Sequence, residues 1–328
     1  MVLFQNHFIK MKLASSFQTS FANFRNQGYV SPITYESLAK RLALYKDIKR
    51  RVEDEKKKEI TKIVVNINVP DSDTKQILMN KDLSTPFDCA KHINRHFAKN
   101  SAVCLITPTD KISKVISMHT PLSENECTLT FLPFNSQEYS TAINHAFWRS
   151  ATLILSAVIE KSFKTQTTLH PYIHRSLSEG FFESIAKIHA LHNWRPTEEE
   201  LKLLTKSAFH DIIMKEYNFE NIYVKSDMAR ELFSNNIERL GMIDVFEKEY
   251  ENVDRIPIVR VGDFIDISPG VTISNTSQIG RFQITNVVET DNSNQYSFRG
   301  LALPKEQTCS AYSWDLLVER SKGIRPSE

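Results

Sequence analysis

His92 and His96 lie four residues apart in a predicted helix, a spacing that allows two imidazoles to bind one metal ion. Two ligands are too few for a structural zinc site, and the sequence marks no third ligand beside them. Lys91, Arg95 and Lys99 flank the pair, and neighbouring cations oppose the binding of a metal cation. We therefore predict no metal here, and expect either an ordinary solvated surface or a basic ridge that contacts phosphate.

The other reactive residues form no recognisable catalytic or cofactor motif. The four cysteines, Cys89, Cys104, Cys127 and Cys309, have no CxxC or other close metal-binding spacing. They are expected to be buried, reduced thiols, which suits a reducing compartment. The sequence contains no GxxxxGK[ST] phosphate loop, and no apolar stretch is long enough to span a membrane. We predict no catalytic residue, no cofactor and no membrane span.

Positive charge is concentrated at the start of the 328-residue chain, although the net charge is only +2. Residues 36–58 carry nine bases and five acids, whereas residues 135–303 carry 17 bases and 22 acids. The apolar residues of 36–58 have helical spacing, which predicts an exposed basic helix that could contact RNA phosphates; an ordinary solvated helix is the alternative. The candidate RNA-binding residues of this arm are Lys40, Arg41, Lys46, Lys49, Arg50, Arg51, Lys56, Lys57 and Lys58. The ridge Lys91, Arg95 and Lys99 is the second candidate.

Residues 1–26 are interpreted as a mitochondrial transit peptide. Residues 1–35 contain no acid, three dispersed bases and several hydroxyl residues, which is typical of such peptides. A single arginine is fewer than usual, so an ordinary disordered terminus is the alternative. Removal of residues 1–26 would leave a mature chain of charge −1.

The remaining pattern predicts an α+β protein with two folded units. Residues 59–134 alternate strands with one helix and suggest a short β-grasp-like module. Residues 135–303 begin with a long helix at 138–163 and end with strands from 256 onwards. We expect a basic helical arm over 27–58 and a helical tail over 304–328.

Several phrases, in order, resemble the N-terminal half of threonyl-tRNA synthetase. The sequence Ser84-Thr85-Pro86-Phe87-Asp88-Cys89-Ala90-Lys91-His92-Ile93 is similar to the helix start of that family's TGS domain. Glu179-Gly180-Phe181-Phe182 and Ala229-Arg230-Glu231-Leu232-Phe233 resemble a strand and a helix of its editing, or second additional, domain. The resemblance covers residues 60–303 and implies a TGS-like domain followed by an editing-like domain.

The resemblance also implies that the editing site has lost its ligands. The family holds a metal or a hydrolytic water with a His-x-x-x-His and a Cys-x-x-x-His motif. Trp148 and Thr152 stand at the two positions of the first motif. Ser268 and Thr272 stand at the two positions of the second, where Asp266 and Gly270 still match. We expect Trp148 to fill the former cavity.

This chain therefore looks like a shortened synthetase relative that lacks the editing ligands and carries a mitochondrial address. In these respects it resembles the family of mitochondrial large-ribosomal-subunit proteins numbered thirty-nine. Residues 263–270 and 276–282 carry that similarity. It implies a structural protein that binds ribosomal RNA and neighbouring ribosomal proteins in the mitochondrial matrix. The alternative is a freestanding tRNA-binding or tRNA-editing protein, with Asp266 and either His145 or His174 as the base.

Overall fold

The computed structural model describes most of the chain from residue 35 onwards. The described ranges are 35–69, 73–163, 167–170, 181–249, 255–268, 270–292 and 294–323. The predicted transit peptide 1–26 and the candidate base His174 lie outside these ranges, as do Glu179 and Gly180 of the synthetase-like strand.

The described residues form helices and strands in mixed order, as expected for an α+β chain. The helices are α1 (Tyr35–Lys57), α2 (Pro86–Ile93), α3 (Arg95–Asn100), α4 (Ser140–Ser162), α5 (Glu198–Ser207), α6 (Ser226–Leu232), α7 (Ile237–Glu249) and α8 (Ala311–Gly323). The first strands are β1 (Lys62–Asn68), β2 (Lys75–Asn80), β3 (Val103–Pro108), β4 (Lys114–Ile116), β5 (Glu126–Leu132) and β6 (Thr167–Leu169). The later strands are β7 (Phe182–Ile188), β8 (Glu220–Val224), β9 (Ile256–Val261), β10 (Phe264–Ile267), β11 (Ile279–Glu289) and β12 (Gln295–Pro304).

The first unit is a five-stranded sheet in the order β2-β1-β5-β3-β4, with α2 and α3 on one face. β1 runs parallel to β5 and antiparallel to β2. Alternate residues of β1, namely Ile63, Val65 and Ile67, point into the core, as the period of two in a strand requires. Thr85 caps α2, because its hydroxyl accepts from the Asp88 amide while the Asp88 carboxylate accepts from the Thr85 amide.

The second unit is organised around α4. Fourteen of the 23 residues of this helix are buried, so it is a core helix rather than an amphipathic surface helix. It packs against a four-stranded sheet in the order β11-β12-β7-β6. A separate three-stranded sheet, β10-β9-β8, supports α6 and α7.

The observed secondary structure departs from a simple reading of the sequence in three places. The helix predicted from Thr85 onwards is divided, because Asn94 has an extended backbone that ends α2 and caps α3. The short edge strand β4 was not predicted. The helix that follows the capping box at Thr197 leaves α-helical geometry at Ala208 and closes with a π turn and a 3-10 turn ending at Lys215.

Candidate functional site

The basic helix α1 packs on the second unit instead of standing alone. Tyr45 and Ile48 are fully buried in the cluster formed by β8–β10, α6 and α7. The guanidinium of Arg260 lies 5.7 Å from the centre of the Tyr45 ring. Burial is the main cause that raises the pKa of Tyr45. The apolar residues of α1 therefore lie on one face, as their spacing predicts, and this face anchors the helix to the second unit.

This docking neutralises several of the candidate RNA-binding cations. Arg41 lies 2.6 Å from Glu160 of α4, and Lys49 lies 3.0 Å from Glu220 of β8. The candidate cations with carboxylate partners are Arg41, Lys49, Arg50, Arg51 and Lys57. Their charges are shared with acids of the same protein, so they are poorer phosphate ligands than exposure alone would suggest.

The remaining cations of α1 and its end have different surroundings. Lys46 and Lys58 are exposed, and neither has an ion-pair partner among the residues that the structure describes. Lys56 donates to the backbone carbonyl of Asp82 at 3.1 Å. Lys40 has contacts of its own and lines a groove next to Arg41. For these lysines, the prediction that α1 and the residue after it contact RNA phosphates remains a prediction.

The predicted ridge of Lys91, Arg95 and Lys99 is not a single helical row. The break at Asn94 places Lys91 on α2 and the other two residues on α3. Lys91 lies 4.5 Å from the Phe87 ring centre, and Lys99 lies 4.0 Å from Glu216. The continuous ridge was therefore a wrong prediction, because it assumed one uninterrupted helix.

Five positions align with the synthetase editing motifs, namely Trp148, Thr152, Asp266, Ser268 and Thr272, and three of them meet around one small cavity. Thr152 of α4, Asp266 of β10 and Ser268 after it all line this space. The cavity volume that the centre of a water molecule can reach is about 20 Å³. This volume is enough for about one water. Nothing as large as the end of an aminoacylated tRNA fits.

The other two positions lie elsewhere. The centre of the Trp148 ring lies 5.6 Å from that of Phe182, and Trp148 does not line the remaining cavity. Thr272 is fully buried against the first unit: its amide donates to Ser117 Oγ at 2.8 Å. Trp148 lies one helical turn before Thr152 on α4, and neither Trp148 nor Thr272 is among the residues that line the cavity.

Two arginines that the sequence motifs did not mark contact this region. Arg239 of α7 binds both carboxylate oxygens of Asp266, with Nη2 2.8 Å from Oδ2. Arg149 of α4 lines the cavity and donates to the carbonyl of Val271 at 2.9 Å. A side chain at Gly270 would collide with Arg149, because an added Cβ would lie 2.0 Å from its Cζ. A basic residue within an apolar stripe was the available signal for Arg149.

The segment 270–278 joins the two units. Gln278 Nε2 donates to the carbonyls of Lys99 and Ser101 in the first unit, at 3.1 and 2.9 Å. Thr272 contacts Ser117 as described above, and Ser274 Oγ lies 3.3 Å from His119 Nε2. The segment that aligns with a synthetase ligand motif therefore makes structural contacts here.

His119 should make stability depend on pH. Desolvation of the His119 ring by burial is the largest influence and lowers its pKa to about 4, although the negative charges of Glu220 and Asp88 act to raise it. Because the folded state disfavours the protonated ring, this contribution is complete above pH 6.5 and is lost as the pH falls towards 4. At about 1.4 kcal/mol per pKa unit, the shift from 6.5 to about 4 corresponds to a loss of about 3 kcal/mol.

The measurement is the free energy of urea unfolding at pH 7, 5.5 and 4 for the wild type and for His119→Gln. The wild type should lose more than the variant between pH 7 and 4. Parallel curves would contradict the assignment, since all other titrating groups are shared by both proteins.

Cysteine burial follows the prediction for the first unit. Cys89, Cys104 and Cys127 are buried there, and Cys309 is partly exposed. Desolvation raises the pKa of Cys89 to about 12 and that of Cys127 to about 11. Within the described ranges, no three His, Cys, Asp or Glu side chains converge on a metal-sized site. None of the described helices is long and apolar enough to cross a bilayer.

Comparison with known proteins first defines the class. The chain is 24% identical over 285 residues to the probable cytoplasmic threonine–tRNA ligase 1 of Dictyostelium discoideum, covering 85% of this chain and 37% of the ligase. It is 26% identical over 261 residues to the mitochondrial threonine–tRNA ligase 1 of Arabidopsis thaliana, covering 79% and 33%. The chain spans about a third of the length of these ligases. It is an α+β relative of threonine–tRNA ligases.

A further relative gives the family. The chain is 31% identical over 301 residues to the large ribosomal subunit protein mL39 of Drosophila melanogaster, covering 89% of this chain and 86% of the relative. No protein-family model matches the chain. The chain belongs to the mL39 family of large ribosomal subunit proteins.

Proposed function

We propose that this protein is a structural, non-catalytic component of the mitochondrial large ribosomal subunit, where it supports mitochondrial translation. The observation that carries the proposal is the 31% identity to mL39 across most of both chains. Its partners are then mitochondrial ribosomal RNA and neighbouring large-subunit proteins, and its location is the mitochondrial matrix. Residues 1–26 would be the transit peptide.

The geometry of the former editing site supports the absence of catalysis. The cavity beside Thr152 and Ser268 has room for about one water molecule. Asp266, the candidate base of the editing alternative, is held by Arg239 with both oxygens occupied. A base held in this way cannot approach a substrate ester without breaking a buried ion pair.

The domain arrangement is part of the same proposal. Residues 59–134 would be the TGS-like domain, and the parallel pairing of β1 with β5 inside an otherwise antiparallel sheet supports a β-grasp topology. Residues 135–303 would be the editing-like domain, built around α4. Residues 27–58 would be the arm and residues 304–328 the tail that contains α8.

Cosedimentation tests the proposal. The tagged full chain, expressed in cells, is expected to migrate with the mitochondrial large subunit through a sucrose gradient that contains magnesium. It should stay there at low salt. Recovery exclusively at the top of that gradient would refute the ribosomal assignment.

Two assays examine the alternative. Purified protein should not accelerate the deacylation of threonine tRNA mischarged with serine. Acceleration that disappears in Asp266→Ala would instead establish an editing enzyme. Tight binding to free tRNA without sedimentation alongside the subunit would establish a tRNA-binding protein outside the ribosome.

A further inference from the structure

Two lysines of the first unit bind one carboxylate, and a third lysine lies beside it. Lys111 Nζ lies 2.7 Å from Glu124 Oε2, and Lys114 Nζ lies 3.8 Å from Glu124 Oε1. Lys81, in the turn after β2, donates to the side chain of the adjacent Asn125 at 2.7 Å. The first two come from the β3–β4 hairpin, so separate parts of the chain build this cluster.

The single carboxylate cannot neutralise the cluster. The hydrogen bond from Lys111 is the largest cause that lowers the pKa of Glu124, and the charges of Lys114 and Lys81 add to it. Glu124 therefore supplies one full negative charge against three positive ones. The side chains of Lys111 and Lys114 are 65% and 58% exposed, so their remaining charge faces solvent.

The positive surface continues past Lys81. Asp82 faces two further cations: Arg255 Nη1 lies 3.9 Å from its carboxylate, and Lys56 Nζ donates to its carbonyl. Glu53 and Glu55 act on Lys56 from its other side. We call Lys56, Lys81, Lys111, Lys114 and Arg255 the basic strip; it links the end of α1 to the β3–β4 hairpin.

The hairpin tip carries an apolar side chain between its cations. Ile112 is 91% exposed and lies between Lys111 and Lys114 in sequence, and Asp110 is the acid of this hairpin. Proteins that grip a nucleic-acid backbone with lysines often place an apolar side chain against sugars or bases next to those contacts.

We propose that the basic strip is a ribosomal-RNA contact surface, with Lys81, Lys111 and Lys114 on phosphates and Ile112 against a ribose or base. The inference rests on the proposed ribosomal function and deepens it. A row of cations drawn from different elements fits the regularly spaced charges of a nucleic-acid backbone. An acidic protein surface is the competing partner.

The contrast with α1 supports this choice. Arg41, Lys49 and Arg51 of α1 are neutralised by Glu160, Glu220 and Glu231, acids that lie more than a hundred residues further along the chain. Lys81, Lys111 and Lys114 have two acids near them, Glu124 and Asp110, and therefore retain one unbalanced positive charge, whereas the cations in the middle of α1 each face a carboxylate. Counterions condensed on RNA would be released mainly by the strip.

The test compares the triple variant Lys81→Gln, Lys111→Gln, Lys114→Gln with the wild-type full chain. The matched control is Lys202→Gln, Lys206→Gln, Lys215→Gln, which removes equal charge from exposed positions of the second unit. Binding to purified mitochondrial large-subunit RNA is measured between about 50 and 200 mM salt. The triple variant should bind about tenfold or more weakly, and its slope of log affinity against log salt should fall by about three. The control should keep the wild-type slope.

A second variant and three alternative outcomes test whether the basic strip contacts RNA. Ile112→Ser should weaken binding without changing the salt slope, because it removes no charge. A triple variant with wild-type affinity and slope overturns the inference, even if the wild type still migrates with the subunit. Loss of subunit incorporation with unchanged RNA binding also overturns it and assigns the strip to an acidic protein. Failure of the wild type itself to migrate with the subunit refutes the proposed function instead.

Discussion

Arg239→Ala is expected to lower the free energy of unfolding by about 3–5 kcal/mol. The Arg239 side chain is 3% exposed and contacts both oxygens of Asp266, whose side chain is 10% exposed. Removal of the guanidinium leaves the Asp266 carboxylate buried without its counter-charge, because water cannot solvate it fully in this place. Urea unfolding followed by circular dichroism measures the effect.

Two controls separate the buried charge from the loss of packing. The double variant Arg239→Met, Asp266→Leu removes both charges, and it should recover most of the lost stability, since apolar pairs often replace buried ion pairs without loss. Arg230→Ala removes an exposed arginine that pairs with Asp244 and Glu247, and it should cost about 1 kcal/mol or less. If Arg239→Ala were no more damaging than Arg230→Ala, the pair would not hold the former site closed.

The same variants bear on the loss of catalysis. In Arg239→Ala, Asp266 is released from its partner while Thr152 and Ser268 remain at the cavity. We expect no deacylation activity to emerge, because the cavity has room for about one water, and within the described ranges no three His, Cys, Asp or Glu side chains converge to hold a metal.

Local patterns in the sequence were sufficient to predict much of the secondary structure. The Ile and Val residues of the segment 62–68 form β1, and the Thr197–Glu200 capping box begins α5. The long helix predicted at 138–163 is α4. These features depend on residues that are neighbours in the chain, so one sequence contains the information.

The site depended on contacts between distant residues. Arg239 and Asp266 are 27 residues apart, and Arg41 finds Glu160 across 119 residues. In the sequence, Arg239 looks like one more polar residue of a surface helix, and the cations of α1 look free. Asn94 shows the same limit on a smaller scale, because helical periodicity continues across it while its backbone is extended.

Gln278→Ala is expected to lower the free energy of unfolding by about 3 kcal/mol or more, an effect comparable to that of Arg239→Ala. Gln278 is 7% exposed, and its amide uses both ends. Nε2 donates to the carbonyls of Lys99 and Ser101, while Oε1 accepts from the amides of Ser274 and Asn275. Truncation leaves four backbone groups without these partners in a partly buried contact.

The matched control is Gln76→Ala in the exposed strand β2. Its side chain makes one hydrogen bond, 3.0 Å long, to Asn66 Oδ1 on the solvent side of the first sheet. We expect a change within about 0.5 kcal/mol, since water replaces that bond. Equal effects of the two substitutions would show that Gln278 does not hold the units together.

Hydrogen exchange localises the effect of Gln278→Ala. Amides of the segment 270–278 and of residues 99–102 should lose protection together, because both sides of the contact depend on the same side chain. Gln278→Glu should be at least as damaging as Gln278→Ala, although it preserves the shape. A carboxylate would place negative charge against the carbonyls of Lys99 and Ser101, where the amide donates. This order of the two destabilisations distinguishes hydrogen-bond donation by the Gln278 amide from packing of its side chain. A contact that depended on volume alone would tolerate glutamate better than alanine.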